Sequence, residues 1–124
     1  MKIRIYYEDT DAGGIVYHSN YLNFCERARS EFFFQKGELP TIEGAHFVVR
    51  HMECDFISSA KFGDIVNVTT EIKEIKNSSL SIFQKVKRDD EVLFSTTVLL
   101  VLVDNGKVKR LTKQIKEYLR SLFS

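Results

Sequence analysis

Apolar and polar residues alternate at the start of the chain. Ile3, Ile5 and Tyr7 share one parity and Lys2, Arg4 and Tyr6 the other, a period of two that predicts a short strand. The stretch Glu8-Asp9-Thr10-Asp11-Ala12-Gly13-Gly14 is dense in turn formers and predicts a loop. The period then lengthens: Tyr21, Phe24, Cys25, Ala28 and Phe32 recur at three- and four-residue steps and make one apolar helix face, with Arg27, Glu31 and Gln35 elsewhere on the circumference. Ser19 or Asn20 supplies an N-cap, and the helix is expected to run to about Lys36, with Gly37 as its stop and Pro40 beyond. Such a helix spans about 25 Å. The run Phe32-Phe33-Phe34 cannot share one face, so a second surface is expected to cover that end.

Beyond Pro40 the period returns to two. Val48, Met52, Cys54 and Phe56 fall on one parity, with His51, Glu53 and Asp55 on the other. Val66, Val68, Thr70 and Ile72 repeat the pattern, as do Leu80, Ile82 and Val86. Asn77-Ser78-Ser79 and Asp89-Asp90 predict hairpin turns. Val92 to Val103 is almost continuously apolar, which suits a strand buried on both faces, and Asp104-Asn105-Gly106 turns the chain after it. Ile115, Tyr118, Leu119, Leu122 and Phe123 have helical spacing. No repeat, linker or low-complexity segment interrupts this order. The expectation is one α+β domain over residues 1–124, a long helix on a curved antiparallel sheet of about five strands, closed by a short C-terminal helix.

Composition fits that picture. A chain of 124 residues can bury roughly two-thirds of its unfolded surface, and ten Phe and five Tyr give it much to bury. A net charge of +1 argues against a general nucleic-acid binder. The charge is uneven, however. From Asn105 onward Lys107, Lys109, Arg110, Lys113, Lys116 and Arg120 face one acid, Glu117, so this tail carries +5 and the rest −4. The tail is either the solvated face of the last helix or a surface for CoA phosphates, an acidic carrier protein or an anionic membrane. Cys25 and Cys54 form no CxxC pair and fall on apolar parities, so both read as core thiols. No signal-peptide core and no apolar run near the roughly 20 residues of a membrane helix is visible, and a reducing, cytoplasmic setting is expected.

The chemistry concentrates in the first loop. It carries three carboxylates just before a helix, whose free N-terminal amides can polarise a carbonyl oxygen. Asp11 beside such donors is a workable acyl-transfer group, and an ordinary acidic turn is the plainer reading. His18 either orients a ligand or offers only its backbone N–H, and Tyr7 either donates a hydrogen bond or packs. No metal is expected: His18, His46 and His51 make no HExxH pair, and His51-Met52-Glu53 is followed by no PCxxC. No GxSxG elbow, GxGxxG loop or phosphate-binding GxxxxGK[ST] loop is present.

The segment from Tyr6 to Tyr21, YYEDTDAGGIVYHSNY, resembles the active-site signature of the 4-hydroxybenzoyl-CoA thioesterase family. The closest subgroup is the YbgC-like acyl-CoA thioesterases associated with the bacterial Tol–Pal system. The likeness continues through Phe24-Cys25-Glu26-Arg27-Ala28-Arg29-Ser30-Glu31, Phe47-Val48-Val49-Arg50 and Ala60-Lys61-Phe62-Gly63-Asp64. It implies a hotdog fold, dimers that commonly associate into tetramers, sites between subunits, and no cofactor. By position it implies that Asp11 is catalytic, that the His18 amide polarises the thioester carbonyl, that Tyr7 and the His18 side chain line the same region, and that Gly14, Ile15, Val16 and Tyr17 contact substrate. A free Asp is ionised near neutrality, with a pKa of about 3.9, which suits a nucleophile better than a general base. The alternatives are a hotdog module that recruits carrier proteins or phospholipid enzymes, with hydrolysis secondary, and a hotdog dehydratase, whose helix-start motif is absent.

Overall fold

The computed structural model describes all residues from Met1 to Ser124. The strands are β1 (Lys2–Arg4), β2 (Thr41–Ile42), β3 (Ala45–Phe56), β4 (Ile65–Ile75), β5 (Leu80–Arg88), β6 (Glu91–Asp104) and β7 (Lys107–Val108). Helix α1 spans His18–Phe34 and α2 spans Lys113–Leu122. The antiparallel sheet has the order β1-β4-β5-β6-β3-β2, with β7 added to β6. Seven strands replace the expected five because two-residue pairings flank the long ones as β2 and β7. The turns fall where the sequence puts them. At Asn105-Gly106 both residues have positive φ (49° and 76°), the geometry a two-residue hairpin needs to match strand twist.

One face of the sheet holds the core. Val66 and Val68 of β4, Leu80, Ile82 and Val86 of β5, and Phe94, Val98, Leu100 and Leu102 of β6 are all buried. The N-terminal half of α1 covers one cluster through Tyr21, Phe24, Cys25 and Ala28. Ile115, Leu119 and Leu122 of α2 help close a second cluster with Phe33 and Phe123. Here lies the second cover expected for the Phe run, since the Phe123 ring meets Phe32 at 5.0 Å and Phe33 at 6.3 Å. Phe33, not Phe32, is the fully buried member; Phe32 is half-buried and Phe34 exposed.

Four local expectations need correction. Tyr7 does not extend the first strand; it opens a single 3-10 turn, Tyr7–Asp9. Helix α1 begins at His18 after Tyr17, with no side-chain cap, and the Asn20 side chain instead donates to the Asp9 carbonyl at 2.8 Å. Its C-terminal stop is as expected. Gly37, at φ 73°, lets its own amide reach Phe34 and that of Glu38 reach Phe33, which satisfies the last helical carbonyls. In β3 a bulge between Val49 and His51 inverts the parity. Phe47 and Val49 therefore share a face with Met52, Cys54 and Phe56, and Val48 points the other way. Finally, β6 is buried throughout only on its inner face; on the outer face Val101 is buried, but Thr97, Leu99 and Val103 are half-buried.

Candidate active site

The three carboxylates of the first loop separate into distinct roles once folded. Glu8 is exposed. Asp9 is buried, and its Oδ2 accepts the Tyr6 amide at 2.9 Å while its carbonyl accepts the Tyr17 amide at 3.0 Å. It pins the loop to the start of α1. Asp11 is exposed, and its Oδ1 accepts the Gly13 amide at 2.8 Å. No group of the chain donates to Oδ2. The turn closes through Gly14 to Asp11 (3.0 Å) and Asp11 to Ile15 (2.9 Å), with Gly14 at φ 82°, a conformation costly for other residues. A Cβ at position 13 would stand 3.2 Å from the Asp11 carboxylate, so glycine there gives the acid its room.

A cleft of about 300 Å³ lies beside this turn, lined by Asp11, Ile15, Val16, Tyr17, His18, Tyr21, Phe56, Ile57, Ser58 and Ser59. Helix α1 enters it without a cap. The Asn20 amide bonds back to Tyr17, but those of His18 and Ser19 meet no acceptor from the chain, and they carry the positive end of the helix dipole. The His18 ring lies 4.4 Å from that of Tyr17 and meets Phe56 edge-on at 6.2 Å.

Of the residues expected at the site, Asp11, Ile15, Val16, Tyr17 and His18 line the cleft. Gly14 shapes the turn behind it, and Tyr7 stands apart, 77% exposed and stacked on Phe62 at 3.9 Å. Tyr21 and the Phe56–Ser59 wall were not singled out as site residues. Tyr21 carries no polar signal in the sequence, because its position belongs to the apolar helix stripe. Its ring stacks on Phe94 and its hydroxyl accepts the Ala60 amide at 3.0 Å. Burial raises the Tyr21 pKa against the lowering effect of that amide, so the phenol stays protonated.

The wall is held from behind. The Val16 amide donates to the Ala60 carbonyl at 2.9 Å, joining it to the Asp11 loop. Arg88 donates to Asp64 Oδ2 at 2.7 Å, to the Ser59 carbonyl at 3.3 Å and to Glu91 at 2.7 Å, and the Lys61 amide reaches the same Asp64 oxygen at 2.8 Å. Burial would raise the Asp64 pKa, but the Lys61 amide and the Arg88 guanidinium outweigh it and hold the carboxyl below the usual range. A carboxyl lowered in the folded state stabilises the fold above its unfolded pKa, near 3.9, and that contribution fades as pH falls through the folded value. Asp64→Asn is expected to cost about 1 kcal/mol at pH 7 and to flatten the loss of stability below about pH 4. Urea midpoints at several pH values check this, and an unchanged slope would remove the pair from the account.

Other candidate chemistry falls away. Cys25 is buried in the core, and desolvation pushes its thiol up to about 12, so it is no nucleophile near neutrality. His51 and Glu53 sit 3.7 Å apart on an exposed polar face.

An acid beside unpaired helix amides in a largely apolar cleft is an arrangement for acyl chemistry, and comparison with known proteins agrees. The thioesterase superfamily profile matches residues 13–95. The chain belongs to the thioesterase superfamily. It is 48% identical over 86 residues to the acyl-CoA thioesterase YbgC of Helicobacter pylori, a match spanning 69% of this chain and 65% of that relative. Against the YbgC acyl-CoA thioesterase of Haemophilus influenzae it is 40% identical over 113 residues, 88% of this chain and 83% of the other. Among solved structures, a probable thioesterase from Bartonella henselae superposes with a TM-score of 0.84 at 32% identity, covering 90% of this chain and 97% of that one. A Thermus thermophilus thioesterase solved with coenzyme A and zinc gives 0.84 at 27% identity, covering 98% and 92%. The hotdog architecture expected of the superfamily is the one found, a long helix against a curled antiparallel sheet.

Proposed function

We propose that this chain hydrolyses acyl-CoA thioesters, with the Asp11 carboxylate as nucleophile and the His18 amide, at the start of α1, as donor to the carbonyl oxygen. One observation carries the reading: a carboxylate with a free oxygen and helix-terminal amides with no acceptor line the same cleft. Gly13 orients Oδ1, leaving Oδ2 to attack the thioester carbon. The carbonyl electrons shift to oxygen, where the helix amides hold the developing charge. They return as the C–S bond breaks, and CoA leaves as thiolate. The resulting mixed anhydride is cleaved by water, which regenerates the carboxylate and releases the free acid; the water's proton balances the thiolate. Tyr17, Ile15 and Phe56 give the acyl group an apolar surface, and the His18 ring, packed between Tyr17 and Phe56, orients it.

Water labelled with oxygen-18 distinguishes this route from general-base catalysis. After repeated turnovers the peptide containing Asp11 is expected to carry the label, from attack on the Asp11 side of the anhydride. Label confined to the released acid, together with no acyl adduct on the Asp11 peptide after a quenched single turnover, would assign Asp11 to activating water instead.

The reading includes a homo-oligomer, dimer or tetramer. β3 pairs with β6 along its length and with β2 only at Ala45 and His46, so its edge from Phe47 onward is open. Open edges of this length are normally paired or covered, and a second copy of β3 would pair it. We place the protein in the cytoplasm: neither cysteine is in a disulfide, and no helix is long and apolar enough to cross a membrane. The exposed Lys107, Lys113 and Arg120 favour a second, compatible reading, in which α2 and β7 dock an acidic carrier protein or anionic lipid.

A further inference from the structure

Three hydroxyls line the Asp11 cleft. They belong to Tyr21, Ser58 and Ser59, and stand among the apolar Ile15, Val16, Phe56 and Ile57. Tyr21 lies one turn into α1 from His18, about 4.5 Å along the helix axis, and is only 3% exposed. Its Oη accepts the Ala60 amide at 3.0 Å, which leaves the phenolic proton and a second lone pair. That proton meets no acceptor of the chain. Asp64, the acid that acts electrostatically on this phenol, accepts from Arg88 and from the Lys61 amide instead.

The serines are its neighbours. Ser59 is joined to Ala60, whose amide Tyr21 holds, and Ser58 precedes it. Both are half-buried, and neither Oγ bonds to the chain. No fully buried side-chain oxygen of the protein lacks a partner, so these two are reached from the cleft they line. Their backbone is fixed. The Ile57 and Ser58 amides both donate to the Leu93 carbonyl, at 2.9 and 3.0 Å, Arg88 donates to the Ser59 carbonyl at 3.3 Å, and the Ala60 carbonyl takes the Val16 amide at 2.9 Å. A hydroxyl both donates and accepts. The Asp11 carboxylate, the thioester carbonyl and the leaving thiolate only accept, so of the reacting groups water alone matches hydroxyls on both counts. An ordered water is held by about two to four polar partners, which this group supplies.

We propose that Tyr21, Ser58 and Ser59 bind the water that hydrolysis consumes. Tyr21 donates to the water oxygen, a serine Oγ accepts one of its protons, and the remaining lone pair attacks. On the route proposed above, on which this assignment rests, the water oxygen bonds to Cγ of Asp11 in the anhydride. The bond from Cγ to the acyl oxygen breaks, and the acyl carboxylate leaves. Of the two water protons, one goes to the CoA thiolate and the other to solvent. All three residues lie outside β3, so pairing of its open edge leaves them in place.

Rapid-quench single turnovers test it, with the assembled protein in excess over hexanoyl-CoA and with thiol release and the acyl adduct on the Asp11 peptide followed separately. Ser58→Ala combined with Ser59→Ala is expected to keep thiol release within about threefold of the parent and to lengthen the adduct's lifetime about tenfold or more, the effect of one or two lost hydrogen bonds. Tyr21→Phe should act alike; it also strips the Ala60 amide of its acceptor, so the serine variant carries the test if Tyr21→Phe does not fold. An unchanged adduct lifetime in the serine variant, thiol release and adduct decay slowed equally, or a raised KM with an unchanged lifetime would each overturn the proposal. An adduct in neither parent nor variants would instead overturn the nucleophilic role of Asp11. The water is then Asp11's direct partner, and the serine variant should lower steady-state kcat about tenfold at unchanged KM; an unchanged kcat would overturn the water site. No thiol release from the parent would sink the hydrolytic reading, and this assignment with it.

Discussion

Asp11→Asn is expected to fold like the parent protein and to lose about 10²- to 10⁴-fold in kcat, the range associated with removing a positioned catalytic group. Asn keeps the side chain's size and its Oδ1 can still accept the Gly13 amide, so the turn from Asp11 to Ile15 should persist. What disappears is the negative charge on the oxygen that no group of the chain occupies. Asp11 is exposed, so little stability should change, and binding of the thioester by the cleft walls should survive. The profile to look for is a collapsed kcat with a KM near that of the parent. His18→Ala should cost less, because the backbone amide remains and only the ring between Tyr17 and Phe56 is lost. Thiol release under saturating acyl-CoA measures both variants. If the His18 side chain outweighed the Asp11 carboxylate, the roles assigned to the two residues would be inverted.

The largest effect on stability is expected at Gln84, which is fully buried in β5. Its amide joins three elements: it donates to the Cys25 carbonyl on α1 and to Thr70 on β4, and accepts from Arg29. Gln84→Leu nearly preserves volume but leaves a partly desolvated guanidinium and a hydroxyl without their partner. A loss of about 3 kcal/mol is expected, the range for removing the partner of a buried charged group. For a domain whose whole stability is about 5–15 kcal/mol this is a large fraction. Thr70→Val, which removes only one neutral bond, should cost about 1 kcal/mol. Chemical denaturation compares the two, and an unchanged midpoint for Gln84→Leu would show that α1 is held by its apolar face alone.

Gln84 also shows where sequence reading stops. Leu80, Ile82 and Val86 announce the inner face of β5 by their alternation, but a polar residue on the same parity gives no sign that three partners await it. Tyr21 hides in the opposite way, as one apolar residue in the α1 stripe whose hydroxyl is committed only once Ala60, distant in the chain, arrives. The slip at Val48 has a different cause. Apolar residues stand at 47, 48 and 49, so either register is consistent with the pattern until the bulge at Arg50 selects one. The helix start was misplaced because Asn20 is a good cap in isolation, whereas tertiary structure engages its side chain with Asp9 and leaves the amides ahead of it open.

What was legible was local and repeated. Period-two runs gave the long strands, the 3.6-residue stripe gave α1, and turn residues gave the hairpins. Asp11 could be ranked above Glu8 and Asp9 only through the resemblance of its surrounding motif, since spacing alone does not separate three acids in one loop. The structure supplies the physical distinction: Asp9 is buried and spent on backbone donors, and Asp11 keeps an oxygen free.

A crystal structure of Asp11→Asn with an intact acyl-CoA bound tests the central claim most directly. The account predicts the thioester carbonyl oxygen within hydrogen-bond distance of the His18 amide, with the substituted side chain about 3–3.5 Å from the carbonyl carbon. A thioester seated elsewhere, with the α1 amides facing solvent and residue 11 remote from the reacting carbon, would contradict it.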